Sequence, residues 1–553
     1  MQELQRRDAR DFLKFAALSF SALLVISVVN VFKKVRQRPV LRSVAILVLG
    51  DVGRSPRMMY HAESFAKLEF DTYLIGYRGS KPIPSLTSLP HIKLCYLSEP
   101  PSFVAQIPFV LAAPIKITYQ IVTILYTLIF TVPRPPEFIM VQNPPSIPTL
   151  ALVWLVGGIT GSKIIIDWHN LGYSILALKL GKLHPLVKIA KQFEIIFGSS
   201  AYAHLFVTNA MRDYLVQKWG LIGHKAVLHD RPPSHFHKCS PPEVHELFLR
   251  LGRSIPPSLA EFLPNASPPY STHLTKVVDH HRIQSYPTLP ASPASDLNSL
   301  SMPSLREDRP ALLVSSTSWT PDEDFGILLE ALKLYESRAR EVNSPDLDDL
   351  KERQILPSIW MVITGKGPLK ERYMTEVQLL QRNWKYVRCS SLWLEAEDYP
   401  LLLGKRFIHG HKLLLNQSFL GSADLGICMH SSSSARDLPM KVVDMFGCGL
   451  PVCALNFACL PELVKDGING LIFENAIQLA GHLETLLTSF PSSPKLDSLR
   501  KSLQRASQVP LNVELRTHIH EHQEGVDWEW SSWSDNWNRV VKPLVLQDAE
   551  RFS

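Results

Sequence analysis

Ser43-Val-Ala-Ile-Leu-Val-Leu49 is followed by Gly50-Asp51-Val52-Gly53-Arg54-Ser55-Pro56-Arg57 and then by a helical pattern from about Met58 to Lys67. The first seven residues are branched and apolar over the length of one buried strand. Asp71-Thr-Tyr-Leu-Ile75 supplies the next strand. Glu137–Val141, Lys163–Asp167 and His204–Thr208 are further short apolar runs, each ending in a polar loop and separated from the next by helical stretches. Strands alternating with helices predict a parallel α/β sheet. The alternation restarts at Ala311–Ser315 and continues through Trp360–Thr364, Ala423–Ile427 and Leu450–Ala454. Two α/β units with a cleft between them are the expected architecture. Ligands of such sheets bind outside the carboxyl ends of the strands, so those loops are where chemistry is expected.

Composition sets the limits. The chain has 553 residues, 46% hydrophobic and 20% charged, which predicts two or three folded domains and excludes a mainly disordered protein. A net charge of +7 over this length is too weak to argue for nucleic acid and is compatible with an anionic membrane surface. The seven cysteines are scattered, with no C-x-x-C pair. They read as reduced thiols in a cytosolic setting, with neither a disulfide framework nor a zinc site.

Residues 1–14 form a short tail, and Phe15–Phe32 is an uncharged apolar run of 18 residues, long enough for a transmembrane anchor. Lys33, Lys34, Arg36 and Arg38 follow at once without an acid, whereas Arg6, Arg7, Arg10 and Lys14 are offset by Glu3, Asp8 and Asp11. The denser downstream cluster puts the body on the cytosolic side. Residues 40–250 read as the first domain, 256–310 as a proline-rich insertion or linker, and 311–510 as the second domain. In 511–553 the cluster Trp528, Trp530, Trp533 and Trp537 suits a final helix that packs back on the first domain. Phe103–Val132 is apolar apart from Lys116 and is expected as a membrane-facing helix of the first domain.

Five loops could carry chemistry. Gly53 lets backbone approach an anion, Arg54 and Arg57 offer bidentate phosphate contacts, and Asp51 is a candidate base at a strand end. Asp167-Trp-His169-Asn170 closes another strand, and His169 beside an acid could accept a hydroxyl proton. Ser315–Trp319 ends a strand before Thr320-Pro-Asp-Glu323, which reads as a capping box and accounts for Asp322 and Asp324 without a metal. Lys366, between Gly365 and Gly367 at a helix start opened by Pro368, suits a donor diphosphate. Asp437-Leu-Pro-Met-Lys441-Val-Val-Asp444-Met-Phe-Gly447-Cys-Gly449 is the strongest segment. Its helix start faces phosphate, and a carboxylate projecting from the helix could hold two ribose hydroxyls.

Together and in this order, Gly50–Arg57, Val141-Gln-Asn143-Pro-Pro-Ser-Ile-Pro148, Ile166–Asn170 with Gly172–Ser174, Val314–Trp319 and Asp437–Val452 resemble the chitobiosyldiphosphodolichol beta-mannosyltransferases of the N-glycosylation pathway. The resemblance implies a glycosyltransferase B fold of two Rossmann-like domains behind an uncleaved N-terminal transmembrane helix. It implies GDP-mannose as donor, GlcNAc2-diphosphodolichol as acceptor, and work on the cytosolic face of the endoplasmic reticulum membrane, alongside other transferases of the pathway. The implied reaction is an inverting displacement. A base, Asp51 first and His169 second, takes the acceptor proton. Ser316, Lys366, Asp437, Lys441 and Asp444 attend the donor, while Gly53, Arg54, Arg57 and Asn143 attend the acceptor or its phosphate. No metal ligand is assigned, although a divalent cation such as magnesium is compatible with a diphosphate. Related retaining enzymes carry a Glu-x7-Glu pair where this chain has Arg436 and Asp444, with Asp437 one position off. About 17 residues, near Gly404–Leu420, intervene where the family runs from Leu401–Leu403 almost directly into Gly421–Gly426. The rival readings are another nucleotide-sugar transferase of this fold, or a non-catalytic membrane-anchored subunit of a transferase complex.

Overall fold

The computed structural model describes residues 37–101, 106, 109–232, 236–252, 255–277, 302–320, 323–344, 355–392, 422–430, 436–505 and 531–547. The expected anchor at 15–32, the insertion at 404–420 and the tryptophans at 528 and 530 lie outside them. The chain divides into two compact units, one ending at Leu228 and the other beginning at His229.

The first unit is built on strands β1 (Val40–Asp51), β2 (Asp71–Tyr77), β3 (Ile92–Leu97), β4 (Pro136–Asn143), β5 (Lys163–Trp168), β6 (Ser200–Phe206) and β7 (Ile222–Val227). They form one parallel sheet in the order β3-β2-β1-β4-β5-β6-β7. Sequence order reverses between β1 and β4, the position at which doubly wound sheets open a ligand crevice. Val44–Leu47 and Phe138–Val141 are fully buried because the central strands are covered on both faces. The helix Phe109–Tyr126 continues through a π-helical turn, Thr127–Thr131. Its Ile124, with Leu128 and Val132, joins the core beside Ile75 and Leu97, so this apolar stretch is part of the first unit. Its outer face leaves Ile117, Val122, Tyr126 and Phe130 exposed. By length and composition alone, Pro114–Thr131 could cross a membrane.

The second unit opens with the helix Pro241–Leu251, which the sequence places in the first domain. Its Phe248 instead packs edge-on against Trp360, 5.9 Å between ring centroids. Part of the proline-rich segment is folded rather than a bare linker. Pro257 starts a short helix, and β8 (Thr275–Val277) pairs antiparallel with β9 (Pro303–Leu305). Buried His245 joins Thr275 Oγ1 at 2.7 Å, so side-chain bonding organises a stretch whose prolines disfavour regular structure. The main sheet comprises β10 (Ala311–Ser316), β11 (Ile359–Thr364), β12 (Val387–Leu392), β13 (Leu425–Cys428), β14 (Val452–Leu455) and β15 (Gly470–Phe473), parallel throughout in the order β12-β11-β10-β13-β14-β15. Asp424 fixes the start of β13. It accepts from Arg309 at 2.6 and 2.9 Å, from Arg500 at 2.9 Å and from Leu312 N at 2.9 Å. The C-terminal helix Trp533–Leu546 bonds to the opening of this unit, Asn536 Nδ2 donating to His229 O at 2.9 Å.

Candidate active site

On the first unit the carboxyl ends of β1, β4 and β5 gather the expected residues in unequal roles. Asp51 ends β1 and caps the turn that follows, Oδ1 accepting from Gly53 N at 2.9 Å and Oδ2 from Ser80 N at 2.8 Å. Both oxygens are therefore already used to tie two loops together. Gly53 is needed for the same junction, since a Cβ there would collide with the carbonyl of Ser80. Arg54 projects into solvent, its side chain 81% exposed.

Arg57 behaves differently from its expected role as a phosphate ligand. It lies in the first turn of the Pro56–Lys67 helix and is buried, with Nε and Nη2 forking onto Asp167 at 2.8 and 2.9 Å and Nη1 on Leu228 O at 2.8 Å. A guanidinium whose fork is filled by a buried carboxylate acts as that carboxylate's counter-ion.

Asp167 is the hub. Its Oδ2 also meets His61 Nε2 at 3.2 Å and His169 Nε2 at 2.8 Å. Burial alone would push this carboxyl up, but Arg57, then His169 and the hydrogen bonds from both histidines, hold it well below the ordinary carboxylate range. Burial lowers the pKa of His61, against the pull of Asp167, so His61 serves as a neutral donor. His169 is the member that reaches the surface, with 22% of its side chain exposed. With Nε2–H donated to Asp167, its Nδ1 is an acceptor with no partner among the described residues, which is the arrangement of an oriented general base.

Asn143, at the end of β4, is buried. Its backbone carbonyl accepts from His169 N at 2.9 Å and its Nδ2 donates to Glu194 at 3.2 Å. Its Oδ1 has no donor among the described residues. Glu194 also takes Gly172 N at 2.8 Å and Tyr173 N at 3.3 Å, fixing the helix that starts just after the His169 loop. Burial raises the pKa of Glu194 in spite of these bonds. His61 and Glu194 were not read from the sequence. His61 carried a usable signal, since it follows Arg57 by four residues and shares its helix face. Glu194 carried none.

On the second unit two loops are interlocked at the carboxyl ends of β10 and β11. Gly365 has a φ of +118°, and a Cβ at Gly365 or Gly367 would strike the carbonyls of Thr317 or Ser318. Trp319 Nε1 donates to Gly365 O at 3.2 Å, and Thr364 Oγ1 donates to Ser316 Oγ at 3.3 Å. Lys366 is exposed at the tip, but the following helix starts at Lys370, later than Pro368 suggests. The capping box expected at Thr320–Glu323 is not formed. The helix begins at Phe325, and Asp324 caps it through Gly326 N at 2.9 Å, a structural use of the one described member of the Asp322/Asp324 pair. Glu323 is instead buried and bonds Thr317 Oγ1, Ser318 N and Lys441 Nζ. The sequence signal was present but pointed to the helix end.

Lys441 and Asp444 lie on the Met440–Gly447 helix after β13, and Asp437 lies in the loop before it. That helix has no side-chain cap among the described residues; Val442 N turns back to Pro439 O at 2.9 Å, and the Met440 and Lys441 N–H groups at its start are the kind that can meet an anion. The glycine-bearing β11 loop, the Lys441 ammonium and this helix start all belong to the carboxyl-end loops of the second sheet, and Asp444 lies one turn into the helix.

Paired parallel sheets with this loop chemistry define a glycosyltransferase of the B type. The family described as Glycosyl transferases group 1 matches residues 403–489, which hold β13 to β15 and the Met440 helix. Among solved structures, HepE of Anabaena in complex with UDP and glucose aligns with a TM-score of 0.50 at 12% identity, over 93% of this chain and 99% of that one, a likeness of fold. The mouse chitobiosyldiphosphodolichol beta-mannosyltransferase is 40% identical over 532 residues, 96% of this chain and 94% of the relative. An Arabidopsis thaliana protein named UDP-glycosyltransferase TURAN is 38% identical, over 91% and 97% of the two chains. The chain belongs to the chitobiosyldiphosphodolichol beta-mannosyltransferase family and is a glycosyltransferase.

Proposed function

We propose that this chain transfers mannose from GDP-mannose to the terminal GlcNAc of chitobiosyl-diphosphodolichol, forming a β-1,4 linkage by inverting displacement. The observation that carries the chemistry is the buried Asp167 holding His169 with one nitrogen turned to the surface. In the reaction His169 Nδ1 takes the proton of the acceptor hydroxyl. That oxygen bonds to C1 of mannose on the face opposite GDP, and the electron pair of the breaking C1–O bond leaves with the diphosphate. One displacement inverts C1 and turns an α-linked donor into a β-linked product. Lys441, Lys366 and the start of the Met440–Gly447 helix offset the charge that develops on the leaving diphosphate. Asp444 holds the ribose, while Asp437 and Ser316 line the donor loops. A magnesium ion, when bound, would share that charge.

This reading prefers His169 to Asp51 as the base, because both Asp51 oxygens accept structural backbone hydrogen bonds. Arg57 orders the base through Asp167, leaving Arg54 for the acceptor diphosphate. The exposed apolar face of the Phe109–Tyr126 helix supports work against the endoplasmic reticulum membrane on its cytosolic face, where a lipid-linked acceptor resides.

The test is transfer of labelled mannose from GDP-mannose to a GlcNAc2-diphospho-lipid, by the full chain and by one lacking residues 404–420. Product from the full chain supports the reaction and makes the insertion a tolerated loop. Product from the shortened chain alone marks the insertion as inhibitory. No product from either chain, with no GDP-mannose binding, defeats the reading. The name of the Arabidopsis relative favours a second donor class, so UDP-sugars belong in the same assay as competitors.

A further inference from the structure

Lysine is an odd choice for the second residue of the Met440–Gly447 helix. The helix N-terminus carries partial positive charge, and acids, not bases, are favoured there. The side chain also has a long flexible stem, which must be held if its ammonium is to meet a phosphate in one place. A local rule broken at a strand-end loop is characteristic of a functional site.

We propose that Glu323 is the positioning residue that holds the Lys441 ammonium at the start of this helix for the leaving diphosphate of a nucleotide sugar. The inference rests on the donor reading given above. Glu323 is 2% exposed, so its carboxylate needs compensation on every side. Oε2 is spent on the β10 loop, accepting from Thr317 Oγ1 and from Ser318 N at 2.9 Å. Oε1 is left for Lys441 Nζ. Its backbone is bridged to His430, just beyond β13 and on the approach to the Met440 helix. One carboxylate thus references Lys441 to the same loop that Gly365 and Gly367 hold in place. An ammonium has three N–H donors. One goes to Glu323, and the other two have no partner among the described residues. Before donor binds, the carboxylate offsets a cation facing a helix N-terminus. When a diphosphate arrives, the ammonium is already in place.

A double-substitution cycle on the full chain tests this, reading kcat and KM for GDP-mannose and the Kd of GDP. Glu323→Gln can keep the Thr317 and Ser318 bonds but turns an amide towards the ammonium. Glu323→Gln and Lys441→Met are each expected to lower kcat/KM by about tenfold to a hundredfold, the range of a charge-assisted hydrogen bond. The double variant should fall no further than the worse single one. Thr317→Val, which cuts a loop tie and leaves the ion pair, should stay within about threefold of wild type. Losses that multiply in the double variant, or Thr317→Val reproducing the loss of Glu323→Gln, overturn the positioning role while leaving the donor reading intact. Should Glu323→Gln fail to fold, Lys441→Met decides alone, and unchanged GDP affinity overturns the proposal. A wild-type chain that neither binds GDP nor turns over GDP-mannose overturns the donor reading and this proposal together.

Discussion

Replacing Asp167 by Asn, and separately His169 by Gln, should divide stability from chemistry. Asp167 accepts Arg57 at 2.8 and 2.9 Å, His61 at 3.2 Å and His169 at 2.8 Å, with no exposure of its side chain. Its neutral replacement leaves the Arg57 guanidinium buried without a counter-charge, at a cost of about 3–5 kcal/mol. For a unit of this size each kcal/mol lowers Tm by about 2–4 °C, so a fall of roughly 6–20 °C is expected. His169→Gln removes one hydrogen bond at a part-exposed position and leaves Arg57 and His61 on Asp167, so about 1 kcal/mol is lost. Its rate should nevertheless fall by about 10²–10⁴, the worth of an oriented general base. The assays are thermal unfolding and mannose transfer to a chitobiosyl-diphospho lipid under saturating donor. Transfer by His169→Gln within about threefold of wild type would refute His169 as the base. An unshifted Tm for Asp167→Asn would refute the account of the buried ion pair.

Three further expectations concern other parts of the molecule. Gly365→Ala places a side chain at a φ of +118° and against the Thr317 carbonyl, so chemical denaturation should show a loss of about 2–4 kcal/mol. Asp424→Asn leaves Arg309 and Arg500 without their buried carboxylate, and unfolding monitored within the second unit should reveal a cost of about 3–5 kcal/mol. Burial lowers the His204 pKa to about 4, with Nε2 donating to Ile222 O at 2.9 Å and Nδ1 accepting from Trp168. The unfolded chain therefore binds its proton first as pH falls below 6.5, and stability declines from there to about pH 4. The loss from this one group is about 3 kcal/mol, and His204→Gln should flatten that part of a stability-versus-pH curve.

The fold was legible where strands lie in the middle of a sheet. Runs read at Ser43, Asp71, Glu137, Lys163, Ala311, Trp360, Ala423 and Leu450 correspond to interior strands, and the run at His204 overlaps β6. In the two main sheets the strands not read are β3, β7, β12 and β15, their four edges. An edge strand has less cover, so its apolar pattern weakens: β7 is exposed over its first four residues. Loop positions were legible for the same reason as the central strands, since each follows a recognisable run. Partnerships were not. Arg57 and Asp167 are 110 residues apart and Arg309 and Asp424 are 115 apart, and no spacing rule joins such pairs. Glu323 was hidden by a local pattern that explained it equally well as a helix cap, a role the structure gives to Asp324.

The four donors gathered on Asp167 also bear on how inherited or engineered missense changes in this chain should be interpreted. Positions 57, 61, 167 and 169 form one hydrogen-bonded group, of which His169 is the member that faces the surface. A change at Arg57 or His61, buried inside a helix, would be sorted by position as a packing defect. With His169 as the proposed base, each of them orders it through the same carboxylate, and low residual activity in such a variant would not by itself identify misfolding as the cause. Compounds that only raise folded protein levels would then restore abundance to these variants without restoring their rate.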